Sequence, residues 1–522
     1  MSRIFLLVIV LGLALSFFRL GSVTLFDVDE AVFAEATKEL VQSGDWITPT
    51  YNGENRYDKP ILFYWLMAVP YKVFGIHEFS ARFPSAVAGF LLVLALFLFL
   101  RRLRDEKTAL YAALSFMLSL YFFGYSHAAV TDMTLTLFIT VSLMLFYLST
   151  TADENPKMLR WYTDGFYLFS GLALLTKGLI GILFPFGIAV SYLFITGGKE
   201  GVKKVLSLRG AMLFLVVSAP WYIAEGAING KEFVQQFFIK HHFARYTGII
   251  SGHRGPLYYY IPALIIGLFP WIAFLPAGIR NLLKERDRLS LFAVLWFAFI
   301  GIFFSFSTTK LPNYILPAVP ALSILIASGM MSSNSTWIRW AHASIVLISL
   351  AMGIASLVSV KYLPKLGIAD SGLPFAVSAV LLIMAAVHGY AGITKKRFYA
   401  VAACLMIVFL GVLSVKVTPV ANEYLQGTLH RYSLYARERM NDGDRLIAYR
   451  LNNPSILFYS GHRLVTAGSR EDLLPFLNAG TNLLAIAKVK DVEVLRGLGF
   501  TLVKEDGQYA ILEKRNSIAE RA

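Results

Sequence analysis

The sequence predicts an α-helical polytopic membrane protein with about 13 transmembrane helices and a small C-terminal α/β domain. Three observations carry that prediction. The 522 residues are 57% hydrophobic and only 16% charged, with mean hydropathy +0.60. Soluble domains carry nearer a quarter charged residues, and disordered chains have the opposite balance, so both classes are excluded. The apolar residues come in runs of span length, and Lys and Arg cluster in short stretches between the runs: Arg101, Arg102, Arg104 and Lys107; Lys199, Lys203, Lys204 and Arg209; Arg280, Lys284, Arg286 and Arg288; Lys395, Lys396 and Arg397. Such clustering is the positive-inside signature, so the formal charge of +15 marks cytoplasmic loops rather than a nucleic-acid surface.

The first apolar run follows Arg3 and extends from Ile4 to Leu20. Ala14-Leu15-Ser16 is a weak signal-peptidase site, but Phe17-Phe18-Arg19 immediately after it argues for an uncleaved anchor. With Arg3 inside, residues 21–82 lie outside, and spans follow near 83–100, 108–126 and 133–150. Two shorter segments, about 164–176 and 178–196, lead to the basic stretch 197–209. A span near 210–227 precedes an outer loop at 228–257, and spans near 258–279, 289–306, 312–331, 338–360, 373–391 and 398–416 complete the set. This alternation puts every basic cluster on the inner side. The single cysteine, Cys404, sits in an apolar run and has no disulfide partner.

Composition changes after Lys416. Residues 1–416 read as the membrane domain, and 417–522 as an external α/β domain with short strands such as Arg445–Tyr449 and 482–487, and helical stretches near 470–478 and 491–498. Within the long first outer loop, Glu30–Ser43 sets Ala31, Phe33, Ala34, Leu40 and Val41 against Glu35, Lys38 and Glu39. That pattern predicts an amphipathic helix lying on the membrane, ended at Gly44. Pro60 opens a second helix that runs through about Phe74.

Charged residues at a membrane boundary are costly unless paired or used. Asp27, Asp29 and Glu30 follow the first span: Asp27 with Glu30 reads as a capping box, while Asp29 reads either as a first-turn anion or as a general base at the lipid–water boundary. Asp58-Lys59-Pro60 precedes a helix N-terminus, which makes Lys59 a candidate phosphate ligand and Asp58 a candidate metal ligand. Asp132 opens the span near 133, where it or Thr131 also suits an N-cap. His241, His242, Arg245 and Arg254 form a basic patch in the loop at 228–257. Lys310 and Tyr314 lie at an outer membrane edge, as an interfacial anchor pair or a phosphate-binding pair. All of these residues fall on the outer side of the map, whereas acids scattered through the spans, expected of ion-coupled transporters, are nearly absent.

Asp29-Glu30-Ala31-Val32-Phe33-Ala34-Glu35, Gly44-Asp45-Trp46, Asp58-Lys59-Pro60 and Tyr64-Trp65 together resemble the opening of the ArnT-like and protein O-mannosyltransferase families, polytopic glycosyltransferases of the GT-C class that use polyprenyl-phosphate sugars. The similarity continues, in order, through Phe79–Ser85, Asp132, Leu175-Thr176-Lys177-Gly178, His242 with Arg245, Phe269-Pro270-Trp271 and Lys310–Tyr314, covering roughly residues 20–320. The resemblance implies the GT-C fold, a bacterial inner-membrane location with site and C-terminal domain on the periplasmic side, and inverting transfer from an undecaprenyl-phosphate sugar to lipid A, an envelope glycan or a protein. Asp29 and Asp132 would be the catalytic acids, and Lys59, Arg245, Tyr314 and Lys310 would hold the donor phosphate. Asp58 and His242 match the positions of a metal-binding Glu and His, so a divalent ion such as Zn, Mg or Mn is implied, and no nucleotide. Val32-Phe33 stands where ArnT-like proteins tend to have Arg-Tyr, and Asp58 replaces Glu; these departures bear on aminoarabinose specificity rather than on the reaction class. A lipid-linked-sugar flippase and an envelope polymerase or ligase are the alternative functions.

Overall fold

The computed structural model describes residues 2–152, 155–203, 206–237, 255–366, 368, 372–394, 397–441, 443–477 and 481–515. Each expected span contains a helix. Among the described residues, nine helices are long and apolar enough to cross a membrane, or up to 11 if each of two bent pairs counts as one span. The count falls short of about 13 for two local reasons. Helix α1 (Arg3–Phe17) has 15 residues, about 22 Å of helix against a hydrocarbon core of about 30 Å. The segment expected at 164–176 is the end of a longer helix, α8 (Pro156–Lys177), whose first turns carry Lys157, Arg160 and Asp164; Asp164 pairs with Arg209 at 2.9 Å.

In chain order, α2 (Asp29–Ser43) and α3 (Leu62–Phe74) form the first loop, joined by a small hairpin of β1 (Thr50–Tyr51) and β2 (Glu54–Asn55). The bundle continues with α4 (Glu78–Leu103), α5 (Glu106–Met117), α6 (Leu120–Ser126), α7 (Thr131–Ser149), α8, α9 (Ile180–Lys203) and α10 (Leu208–Phe233). Helices α5 and α6 meet at 61°, where Ser119 caps the second helix through the Phe122 N–H. The span expected at 258–279 is instead two helices, α11 (Tyr260–Gly267) and α12 (Leu275–Glu285), in segments bent by 109°. Pro270 lies at that break, and a residue without an N–H cannot continue the helical ladder. Arg280 and Lys284 consequently sit on the last turns of α12 rather than in a loop. Helices α13 (Arg288–Phe306), α14 (Val319–Met331), α15 (Ser335–Ser359) and α16 (Gly372–Thr394) follow. Close approach of α12 to α14 requires Gly278 and Gly329: an added Cβ would stand 2.0 Å from Leu325 O or from Phe274 O. Small residues at such contacts let membrane helices touch.

The final helical run, α17, extends unbroken over Tyr399–Arg439, so the compositional boundary at 416 falls inside a helix. Beyond it lies a five-stranded sheet of β3 (Arg445–Tyr449), β4 (Leu464–Ala467), β5 (Leu483–Lys488), β6 (Thr501–Asp506) and β7 (Tyr509–Lys514), ordered β4-β3-β5-β7-β6. β3 is parallel to β4 and β5, and β7 is antiparallel to β5 and β6. Alternate residues of β3 enter different cores, Ile447 and Tyr449 on one face and Leu446 and Ala448 on the other. Helix α18 (Ser455–Ser460) carries Phe458 and Tyr459 into the core of the first loop. That contact corrects the expected membrane-surface helix: Glu30 and Glu35 of α2 are buried, 5% and 4% exposed, because α2 is covered by protein on its polar side too.

Candidate functional site

The first turn of α2 is fixed by a buried ion pair. Glu30 receives Arg82 Nε and Nη2, each at 2.9 Å, in a bidentate pair; the two side chains are 7% and 2% exposed. The other Arg82 donors reach the carbonyls of Leu20 (3.2 Å), Val23 (2.8 Å) and Thr24 (2.9 Å), so every N–H of the guanidinium is used. Glu30 also accepts from the N–H groups of Phe26 (2.9 Å) and Ala129 (2.6 Å). The last bond ties α2 to the turn just before α7. One carboxylate thereby sets the relative position of the helix that begins with Asp29 and the helix whose first turn holds Asp132.

The capping-box reading does not survive. Val28 is the N-cap of α2 and makes no side-chain cap bond, while Asp27 points to the C-terminal domain, accepting from Ser455 N (2.8 Å), Ser455 Oγ (2.6 Å) and Asn453 Nδ2 (2.9 Å). Asp29 is exposed and makes no hydrogen bond or ion pair with a described residue. Nor is Asp132 a cap: Val130 is the N-cap of α7, and the Asp132 carboxylate pairs with Lys177 Nζ at 2.7 Å and accepts from Asn313 Nδ2 at 2.9 Å. Lys177 ends α8, which stops because Gly178 takes φ 75, a conformation that favours glycine. The Lys177 ammonium also lies 5.7 Å from the centre of the Tyr314 ring.

Before α3, Lys59 Nζ contacts its neighbour's carbonyl, Asp58 O, at 3.0 Å, and Asp58 pairs with Arg56 Nη2 at 2.7 Å. Arg56 Nε donates to Tyr64 Oη at 3.2 Å. One apolar cluster joins these pieces, because Ala31 and Phe33 after Asp29, Tyr57 and Ile61 around Lys59, Ala129 and Val130 before Asp132, and Leu175 before Lys177 all pack together. The segments carrying Asp29, Lys59 and Asp132 are therefore joined through one apolar cluster, and Tyr314 meets Lys177, the partner of Asp132. Lys310 is no exposed anchor: it is 6% exposed, donates to Ser307 O at 2.5 Å, and burial holds its ammonium below the ordinary lysine pKa. Arg245 and His242, with His241 and Arg254, lie outside the described residues. Among the described residues no three His, Cys, Asp or Glu side chains converge as metal ligands, and Asp58 is engaged by a guanidinium.

The sequence reading assigned no role to Lys177, Asn313, Arg82 or Arg56. Lys177 carried a signal, an ionisable residue at the end of a span, but its partner is set by packing between α7 and α8.

A bundle of spans with a small α/β domain docked beside it is the GT-C architecture of membrane glycosyltransferases. The family of dolichyl-phosphate-mannose-protein mannosyltransferases matches residues 58–223. The undecaprenyl phosphate-alpha-4-amino-4-deoxy-L-arabinose arabinosyl transferase of Pseudomonas aeruginosa is 30% identical over 379 residues, 71% of this chain and 67% of that protein. The protein of the same name from Pectobacterium carotovorum is 30% identical over 407 residues, 74% and 71% of the two chains. An uncharacterised Aquifex aeolicus protein is 33% identical over 335 residues, 64% of this chain and 65% of its own. This chain thus spans about two thirds of the length of these relatives. In fold, it resembles ArnT from Cupriavidus metallidurans in a crystal structure bound to undecaprenyl phosphate, with TM-score 0.83 and 22% identity over 98% of each chain. The archaeal oligosaccharyltransferase AglB from Archaeoglobus fulgidus is a more distant neighbour, with TM-score 0.52 and 11% identity over 98% of this chain and 74% of that one. The chain belongs to the ArnT-like family of membrane glycosyltransferases.

Proposed function

We propose that this protein transfers a sugar from a polyprenyl phosphate, undecaprenyl phosphate in bacteria, to a hydroxyl on an extracytoplasmic acceptor, inverting the anomeric centre in one displacement. The observation that carries the reading is the Asp29 carboxylate, exposed and unengaged by described side chains, on a helix that shares one apolar cluster with the segments carrying Lys59 and Lys177. Asp29 takes the proton of the acceptor hydroxyl as its oxygen bonds to the anomeric carbon, and the bond to the phosphate oxygen breaks on the opposite face. The leaving lipid phosphate gains negative charge, which Lys59, Lys310 and the Tyr314 hydroxyl oppose, with Arg245 added by the family resemblance. The α3 N-terminus beside Lys59 adds free N–H groups to the same anion.

Asp132 has a different part. Buried and paired to Lys177 and Asn313, it orients the Lys177 ammonium and the segment carrying Tyr314 rather than accepting a proton. No nucleotide enters these steps. Val32 and Phe33 are buried, 7% and 5% exposed, and Phe33 packs on Phe63 and Tyr64. The positions that carry Arg-Tyr in ArnT-like proteins therefore present no polar group to a sugar, which favours a donor other than aminoarabinose. Lipid A, an envelope glycan and a protein are the acceptor classes. Purified protein in detergent, given a radiolabelled polyprenyl-phosphate sugar and envelope extract, should release lipid phosphate and place label on the acceptor as the inverted anomer. Label that stays on the lipid while proteoliposomes carry it across the bilayer would identify a flippase instead.

A further inference from the structure

The segment Thr24–Asp27 leads into α2, and the far end of the chain holds it. Besides the three bonds from Asn453 and Ser455, Asp27 is met by Gln426: with its amide turned, the nitrogen lies 2.9 Å from Asp27 Oδ2 and the oxygen 3.0 Å from the Asp27 N–H. The Leu25 N–H donates to Tyr459 Oη at 2.8 Å, and that hydroxyl donates to Glu78 at 2.8 Å. Asn422 Nδ2 donates to Thr24 Oγ1 at 2.7 Å. Asp29 follows two residues later without a hydrogen bond of its own to any described residue, so its aim depends on anchors to either side. Glu30, on Arg82 and Ala129, is one anchor; Asp27, on the C-terminal domain, is the other.

We propose that the C-terminal domain takes part in catalysis through these contacts: Asn453 and Ser455 are positioning residues that act through Asp27 to hold Asp29 in line for proton transfer. This rests on the reading of Asp29 as the base. Simple docking of the domain would be served by Phe458 and Tyr459 in the apolar core, yet a carboxylate receives donors from two residues of the domain and a third from Gln426 on α17. Misplacing a reacting group by about 1 Å lowers a rate by about 10².

Full-length protein in detergent carrying Asn453→Ala with Ser455→Ala should lose about tenfold or more in kcat, with donor KM unchanged and a cooperative thermal transition retained. Ser455→Thr, which keeps the hydroxyl, should stay near wild type. Added to Asp29→Asn, the alanine pair should lower turnover no further, since there is no base left to aim. Arg431→Ala breaks pairs with Glu423 and Asp506 in the same region without touching Asp27, and should keep its kcat. If the alanine pair does not purify, Asp27→Asn is read in the same way. Wild-type kcat in the alanine pair or in Asp27→Asn, with Asp29→Asn inactive, would overturn the positioning role alone. An equal loss in Arg431→Ala would also overturn it, because that marks general loosening. Wild-type turnover in Asp29→Asn would instead remove the base, and the positioning role with it.

Discussion

Replacing Arg82 with methionine removes the only side-chain cation that Glu30 contacts among the described residues, and it does so where neither group reaches water. The bonds lost are two to the carboxylate and three to the carbonyls of Leu20, Val23 and Thr24. Removing one partner of a buried pair is destabilising by about 3–5 kcal/mol, since the surviving charge is left in a poorly solvating site. The N–H groups of Phe26 and Ala129 still reach Glu30, which places the loss nearer about 3 kcal/mol. Removing the charge as well should recover part of it, so Glu30→Leu with Arg82→Met should be more stable than Arg82→Met alone. Thermal unfolding of the three variants in one detergent gives the coupling. A midpoint for Arg82→Met within error of wild type, or a double variant destabilised by the sum of the singles, would refute the claim that this pair fixes the entry to α2.

Lys59→Ala should weaken polyprenyl-phosphate binding by about 1–3 kcal/mol in a titration, and Lys59→Arg should restore only part, because a planar fork does not replace a point charge. Lys177→Met should destabilise the bundle by about 3 kcal/mol, leaving Asp132 buried with Asn313 alone among the described side chains, and Asp132→Asn in the same chain should recover much of that in thermal unfolding. Burial lowers the Lys310 pKa, so its ammonium is lost as pH rises through a value below that of solvent lysine. Polyprenyl-phosphate affinity should fall over that rise in wild type and stay flat in Lys310→Arg, measured by titration across alkaline pH.

Local physics made part of the site legible before the fold was known. Helices α2 and α3 follow from apolar periodicity and from punctuation by Gly44 and Pro60, and Asp29 stands out as an acid at a membrane edge. The roles of partners distant in sequence were not legible. Asp132 meets Lys177 across 45 positions and Asn313 across 181, so only packing of α7 against α8 and the segment after α13 reveals that Asp132 is a partner rather than a cap. Burial of Glu35 was hidden for the same reason: its neighbour Lys38 reaches Phe458, 420 positions away. The break near Pro270 was written in the sequence, but a hydropathy average passes over one residue that lacks an N–H.

The account depends most on Asp29, and one rate tests it. Single-turnover transfer from a polyprenyl-phosphate sugar, with enzyme in excess and donor binding measured separately, should be slower by about 10² or more in Asp29→Asn while donor affinity is unchanged. A first-turn anion that only complements the helix dipole would alter stability by about 0.3–1 kcal/mol and leave the rate alone. Wild-type single-turnover transfer in Asp29→Asn would contradict the assignment.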